Sequence, residues 1–157
     1  MDKYIIEGLN PLAGEIKVGG AKNAALPIIA ASLLADSEVV LDDIPQLRDV
    51  TNLCRIIEDM GAEVKRSQHR IEIDSTKVSK TEADHELARK LRASYYILGV
   101  MLGREGHART TLPGGCNIGN RPIDLHLKGF RALGAEVNLD HGAVDVKADK
   151  LRGAEIY

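Results

Sequence analysis

The chain has no tryptophan, one phenylalanine and four tyrosines among its 157 residues. So few aromatic rings leave little surface for stacking on bases, and a formal net charge of −2 gives no general attraction to nucleic acid or to an anionic membrane. No apolar run reaches the roughly 18 residues that a membrane helix needs. The longest, residues 24–35, is interrupted by Pro27 and Ser32. Residues 1–3 do not open a signal peptide. Cysteine is scarce as well: Cys54 and Cys116 stand in unlike surroundings and form neither a disulfide framework nor a zinc set, which needs four ligands at short spacings. These absences point to a reduced, cytoplasmic compartment with no nucleic-acid or membrane partner. What is present is the composition of a globular protein, 44% hydrophobic and 28% charged, long enough to bury a sizeable core as one domain.

Taken in order, residues 4–7 and 15–18 are predicted as short strands around a turn at 8–14, and Gly19-Gly20 breaks the pattern. Residues 21–35 are good helix formers, apolar nearly all round, which predicts a buried helix with Pro27 in or near its first turn. A strand follows at 39–41. Val50, Cys54, Ile57 and Met60 recur at helical spacing before Gly61, a natural C-terminal cap. Residues 70–74 alternate as a strand, and 75–84 form a connection. A second long helix is predicted over 86–103, a strand over 108–112 and an amphipathic helix over 123–133, capped by Gly134.

The pattern is a duplication. Gly61-Ala62-Glu63-Val64 returns as Gly134-Ala135-Glu136-Val137, a shift of 73 that also places Val50 on Ile123, Cys54 on Leu127, Ile57 on Phe130, Met60 on Leu133, Ile71 on Val144 and Ile73 on Val146. Upstream, Ile44-Pro45 falls on Leu112-Pro113 at a shift of 68. The second copy is therefore five residues longer between Pro113 and Ile123, where its sequence reads GGCNIGNRP. A connection can carry function there without disturbing the core. Residues 151–156 echo residues 12–16, as though a third unit began, and the chain reads as a fragment of a longer protein.

The lengthened connection holds the candidate chemistry. Cys54 lies on an apolar helix face and reads as a small core hydrophobe. Cys116 is flanked by glycine and asparagine, where burial is poor, and Arg121 would favour its thiolate; this reads as a reactive thiol, set against an incidental loop cysteine. Backbone amides freed by glycine suit a phosphate. Lys22 and Asn23 follow Gly19-Gly20 at a strand-to-helix junction, where helix amides and a cation together favour phosphate or carboxylate. A solvated surface lysine is the bland alternative. Of Arg89, Lys90 and Arg92, one is expected to touch a ligand and the others to form a solvated face. Asp124 and His126 flank a helix start, with little to mark the histidine as catalytic.

Together GAKNAALP (20–27), LRAS (91–94), LPGGCNIGNRPIDLH (112–126) and KGFRALGAEV (128–137) resemble the UDP-N-acetylglucosamine 1-carboxyvinyltransferases, over the whole chain. The cysteine of LPGGC separates that family from the shikimate-pathway enolpyruvyl transferases, which share the fold. The resemblance implies an α/β fold of repeated helix-and-strand units, a partial inside-out α/β barrel. Residues 1–21 would be strands of the other domain, and residues 22–157 an incomplete catalytic domain, with unit one at about 22–80, unit two at about 85–148 and the start of a third at 151–157. It implies transfer of the enolpyruvyl group of phosphoenolpyruvate to the 3-hydroxyl of UDP-N-acetylglucosamine with release of phosphate, the first committed step of peptidoglycan synthesis. No metal or organic cofactor is implied. By that likeness Cys116 is the general acid, Lys22, Asn23 and Arg121 bind phosphoenolpyruvate, and Asn23, Arg92, Arg121, Pro122, Ile123, Asp124 and Leu125 bind the nucleotide sugar. A second domain of the same chain would complete the cleft, so that this piece alone is expected to be inactive. The alternative is a nucleotide-sugar or phosphate-binding module of the same fold without catalysis. A thiol-redox protein is weaker, since no CxxC pair exists.

Overall fold

The computed structural model describes residues 3–9, 11–112 and 123–156. Its elements run α1 (Lys22–Ala31), extended by a 3-10 turn at Ser32–Leu34, β1 (Val39–Leu41), α2 (Arg48–Asp59), β2 (Glu63–Ser67) and β3 (Arg70–Asp74), then α3 (His85–Lys90), a 3-10 turn at Arg92–Tyr95, α4 (Tyr96–Glu105), β4 (His107–Thr111), α5 (Asp124–Ala132), β5 (Glu136–Asp140) and β6 (Ala143–Lys147). The strands form two antiparallel three-stranded sheets of identical order, β1-β3-β2 and β4-β6-β5. Alternation sets one face of each sheet inward: Ile71 and Ile73, then Val144 and Val146, are buried, while Arg70, Glu72, Asp145 and Lys147 point away. These inward residues join one buried cluster with Leu26, Ile29 and Leu33 of the first helical segment, Leu53, Ile56 and Ile57 of α2, and Ile97, Leu98 and Met101 of α4. Each such side chain contributes about 1.5 to 3 kcal/mol by leaving water.

The duplication is therefore real in three dimensions, and its arithmetic is instructive. Val64 faces Ile73 and Val137 faces Val146, both moved by 73. Val39 faces Ile73 whereas Ala108 faces Val146, a shift of 69. One step on, the Ile44 amide donates to the His69 carbonyl and the Leu112 amide to the Gly142 carbonyl, each at 2.8 Å, which restores the expected 68. The first unit thus carries one extra residue at Asp42-Asp43, a bulge with Asp43 at φ +56°. The five residues that lengthen the second copy follow Leu112, among 113–122, outside the described residues.

Four expectations need correction. Residues 4–7 and 15–18 form no strand; Tyr4, Ile6, Leu12 and Val18 are exposed, because alternation becomes a strand only when another strand supplies the hydrogen bonds, and none of the described strands does. Residues 151–156 likewise form no strand, and the Arg152 amide donates to the Leu133 carbonyl at 2.9 Å. Pro27 is the sixth residue of α1, in its second turn, so it has no N–H to give to the Asn23 carbonyl. The long helix over 86–103 is broken: Leu91 turns extended (φ −126°, ψ 117°) and buries its side chain, which lets α3 lie on α2 and β4 while α4 packs on β4 and α1. The expected connection at 75–84 is present, and it is pinned to the edge of β4, where Arg109 donates its amide to the Thr81 carbonyl at 3.0 Å.

Two close approaches fix the frame. A Cβ on Gly20 would lie 1.9 Å from the Asp43 carbonyl oxygen, so the chain entering α1 rests directly on the bulge. Gly106 ends α4 at φ +68°, where a Cβ would meet the Ala148 carbonyl oxygen at 2.7 Å. Between the units, the Arg104 guanidinium donates to the Leu33 carbonyl and, at 3.0 Å each, to the hydroxyl and carbonyl oxygens of Ser75.

Gly106→Ala is expected to lower stability by roughly 1 to 3 kcal/mol, since it meets both an unfavourable φ and a carbonyl. Gly142→Ala, at φ +78° with nothing within 4 Å of the added Cβ, is expected to cost clearly less; urea denaturation of the two variants checks the order. Cys54 supplies a pH prediction. Burial pushes its thiol up from the ordinary 9.0 to about 11, against the opposing charge of Arg66. An acid whose folded value is raised stabilises the fold while it stays protonated, so this contribution is intact below 9.0 and is lost as pH climbs through about 11. The loss is on the order of 2 to 3 kcal/mol. Denaturation of the native chain should steepen with alkaline pH relative to Cys54→Ala, and parallel curves would contradict it.

Candidate active site

The candidate residues stand at the starts of helices. Lys22 is the first residue of α1, and its Nζ lies 3.0 Å from Oδ2 of Asp49, in the first turn of α2. Asn23 is beside it and exposed. A lysine at this end opposes the macrodipole of α1, whereas an aspartate in the first turn of α2 is favoured by the dipole of α2. The pair thus meets where the α1 start, seated on the bulge through Gly20, approaches the 42–49 connection.

The second group lies on the other side of α2. Arg92 opens the 3-10 turn that packs on α2, is half-buried, and has no carboxylate partner among the described residues. Three residues on, the Tyr95 ring meets the His126 ring of α5 with centroids 4.9 Å apart. That contact brings the Arg92 turn against the first turn of α5, which carries Asp124 and Leu125, both exposed, after the buried Ile123. Arg89 and Lys90 are exposed in the last turn of α3, where cations suit the helix end. Among the three basic residues considered, Arg92 is the one set inward.

Capping separates these helices from one another. The Asp84 side chain accepts from the Leu87 amide at 2.9 Å and closes the start of α3. The residues preceding α1, α2 and α5, namely Ala21, Leu47 and Ile123, provide no side-chain cap. All three starts adjoin candidate residues, and helix starts without a side-chain cap suit ligand oxygens. Lys22, Asn23, Asp124 and Leu125 are exposed, and a cleft of 640 Å³ is lined by Leu47, Arg48, Val50 and Thr51 at the start of α2.

Cys116, Arg121 and Pro122 lie outside the described residues. Cys54 is buried and its thiol is held protonated, in keeping with a core role. Among the described residues no group of three or more His, Cys, Asp or Glu side chains is arranged to hold a metal, and no helix is long and apolar enough to cross a membrane. Sequence reasoning missed two features. Asp49 looks like any acid in a first turn; the one signal was the shift of 73, which sets Pro122 opposite it. The Tyr95–His126 contact joins residues far apart in the chain, and no spacing rule announces it.

Comparison with known proteins bears on the family and the fold. The family model described as EPSP synthase (3-phosphoshikimate 1-carboxyvinyltransferase) matches residues 6–157. A UDP-N-acetylglucosamine 1-carboxyvinyltransferase of Halothermothrix orenii is 69% identical over 157 residues, and UDP-N-acetylglucosamine 1-carboxyvinyltransferase 2 of Clostridium acetobutylicum is 52% identical over 158. Both alignments take in 100% of this chain but 38% of the relative, so the chain spans under two-fifths of the length of the proteins it matches. Among solved structures, the enolpyruvyl transferase NikO from Streptomyces tendae superposes with a TM-score of 0.75 at 23% identity, covering 90% of this chain and 31% of that one. EPSP synthase from Acinetobacter baumannii gives 0.61 at 18% identity, covering 89% and 33%. At those identities the likeness is one of fold, and it matches the repeated α/β units. With the family model matching residues 6–157, the chain belongs to the EPSP synthase (3-phosphoshikimate 1-carboxyvinyltransferase) family.

Proposed function

We propose that this chain is the N-terminal part of a cytoplasmic UDP-N-acetylglucosamine 1-carboxyvinyltransferase, which moves the enolpyruvyl group of phosphoenolpyruvate to the 3-hydroxyl of UDP-N-acetylglucosamine and releases phosphate. The observation that carries the reading is 69% identity along the entire chain to a protein of that name. Cys116, set in the LPGGC sequence, supports the choice of the nucleotide sugar over shikimate 3-phosphate as acceptor.

The chemistry asks for three things. Protonation of the vinyl methylene needs a placed acid, assigned to Cys116. The adjacent carbon then develops oxocarbenium character as the sugar oxygen adds and passes its proton to a base assigned to the second domain; the bond to phosphate breaks in the reverse sense as the methyl so formed gives up a proton and the vinyl group is restored. Cations must hold the phosphate and carboxylate throughout, a role assigned to Lys22 and Arg121 with Asn23 beside them. Arg92, with Asn23, Arg121, Pro122, Ile123, Asp124 and Leu125, is assigned to the nucleotide sugar. The uncapped starts of α1, α2 and α5 favour anionic ligands in the same region. Residues 1–21 are assigned to a second domain, which is supported by the apolar side chains they expose. That domain would supply the rest of the cleft and exclude water.

In a protein of the relatives' full length carrying this sequence, Cys116→Ser is expected to lower phosphate release from phosphoenolpyruvate plus UDP-N-acetylglucosamine by about 100-fold or more. Cys54→Ser is expected to lower Tm and leave turnover within about twofold, since its cost is one of packing and desolvation. Equal losses of turnover in the two variants would sink the assignment. The 157-residue chain by itself is expected to show no turnover. A binding module without catalysis would instead protect Cys116 from alkylation and yield no phosphoenolpyruvate adduct by mass spectrometry.

A further inference from the structure

We propose that Asp49 is the positioning residue of Lys22: it orients the ammonium toward the anion that the site takes, phosphoenolpyruvate in the reading above, on which this inference rests. The Asp49 carboxylate lies 3.0 Å from Lys22 Nζ across 27 residues of sequence. An ammonium has three N–H donors, so one bond to Asp49 leaves two for phosphate or carboxylate oxygens. A lysine on an exposed helix start otherwise samples many rotamers, and ordering it opposes ligand binding. Both partners stand on one base. Gly20 packs against the Asp43 carbonyl, so the start of α1 and the connection into α2 cannot shift independently, and the lysine and its anchor keep their separation.

In sequence the second copy has no carboxylate at the matching position, although α5 carries Asp124 in its own first turn. At the shift of 73, Arg48 corresponds to Arg121 and Asp49 to Pro122, so the second connection keeps the cation and lacks the acid. Asp49 also repels an arriving anion, yet water screens that effect strongly at the open separation of about 5 Å expected between two such groups. Orientation of the lysine is not screened. Net, the carboxylate favours binding by presenting a lysine that is already placed.

Competitive acetylation with acetic anhydride of a protein of the relatives' full length carrying this sequence, read by peptide mass spectrometry, tests the contact without needing activity. Asp49→Asn is expected to raise acetylation of Lys22 about fivefold relative to the exposed Lys17, and Asp49→Glu to stay within about twofold of the native chain. Added phosphoenolpyruvate is expected to protect Lys22, with half-protection needing about five times more ligand in Asp49→Asn and a near-native amount in Asp49→Glu. Circular dichroism melting should be the same in all three, which separates positioning from loss of fold. Unchanged Lys22 reactivity in Asp49→Asn overturns the proposal, as does an unchanged half-protection concentration. Failure of phosphoenolpyruvate to protect the native chain instead counts against the transferase reading, and the reactivity comparison then decides for or against Asp49.

Discussion

One-sided burial of two short antiparallel sheets is the constraint on which the molecule depends. A slip of one residue in β3 would carry Ile71 and Ile73 to the solvent side and bring Arg70 and Glu72 into the core, and β6 is bound in the same way by Val144 and Val146. Register is therefore settled by which side chains lie against the helices. Once it is settled, the ends of β1 and β4 are placed too, and with β1 the connection that leads into α2. Asp49 sits at the far end of that connection.

That arrangement explains why cations and helix starts coincide. Each unit runs from a helix to an edge strand, and then through a short connection into a second helix. The connection must deliver the chain from the sheet edge to the helix layer, so the N-termini of α2 and α5 arrive at corresponding places in their units. The first unit fills its place with Asp49 paired to Lys22; the second leads into its place through Cys116, Arg121 and Pro122. In sequence the two copies keep an arginine at one corresponding position, Arg48 and Arg121, and differ at the next, where Asp49 stands against the uncharged Pro122.

Much of this was legible in the residues. Gly61 and Gly134 at identical distances from the apolar positions of two helices announced both the caps and the duplication, and each sits at positive φ as a C-terminal cap requires. Lys22 stood out because a cation at a predicted helix start is conspicuous, whereas Arg92 lay inside the helix predicted over 86–103 and was singled out by the LRAS likeness alone. The bulge at Asp42-Asp43 could not, because neither residue is apolar and the offset exists only as a hydrogen bond from Ile44 to His69. The break at Leu91 was hidden by good helix formers on both sides, overruled by the separate packing of α3 and α4. Strands over 4–7 and 15–18 failed for the opposite reason, a correct alternation with nothing to pair with.

Arg104 gives the duplication a mechanical meaning. Its guanidinium belongs to the second unit, but the oxygens it serves, on Leu33 and Ser75, close the first helix and the last strand of the first unit. Ser75 in turn donates its hydroxyl to the Ala35 carbonyl at 2.9 Å. Pulling the copies apart would leave these acceptors and a charged donor without partners at the same moment, a penalty borne jointly by both halves. The contact thus couples the repeats: what closes the end of the first is supplied by the second.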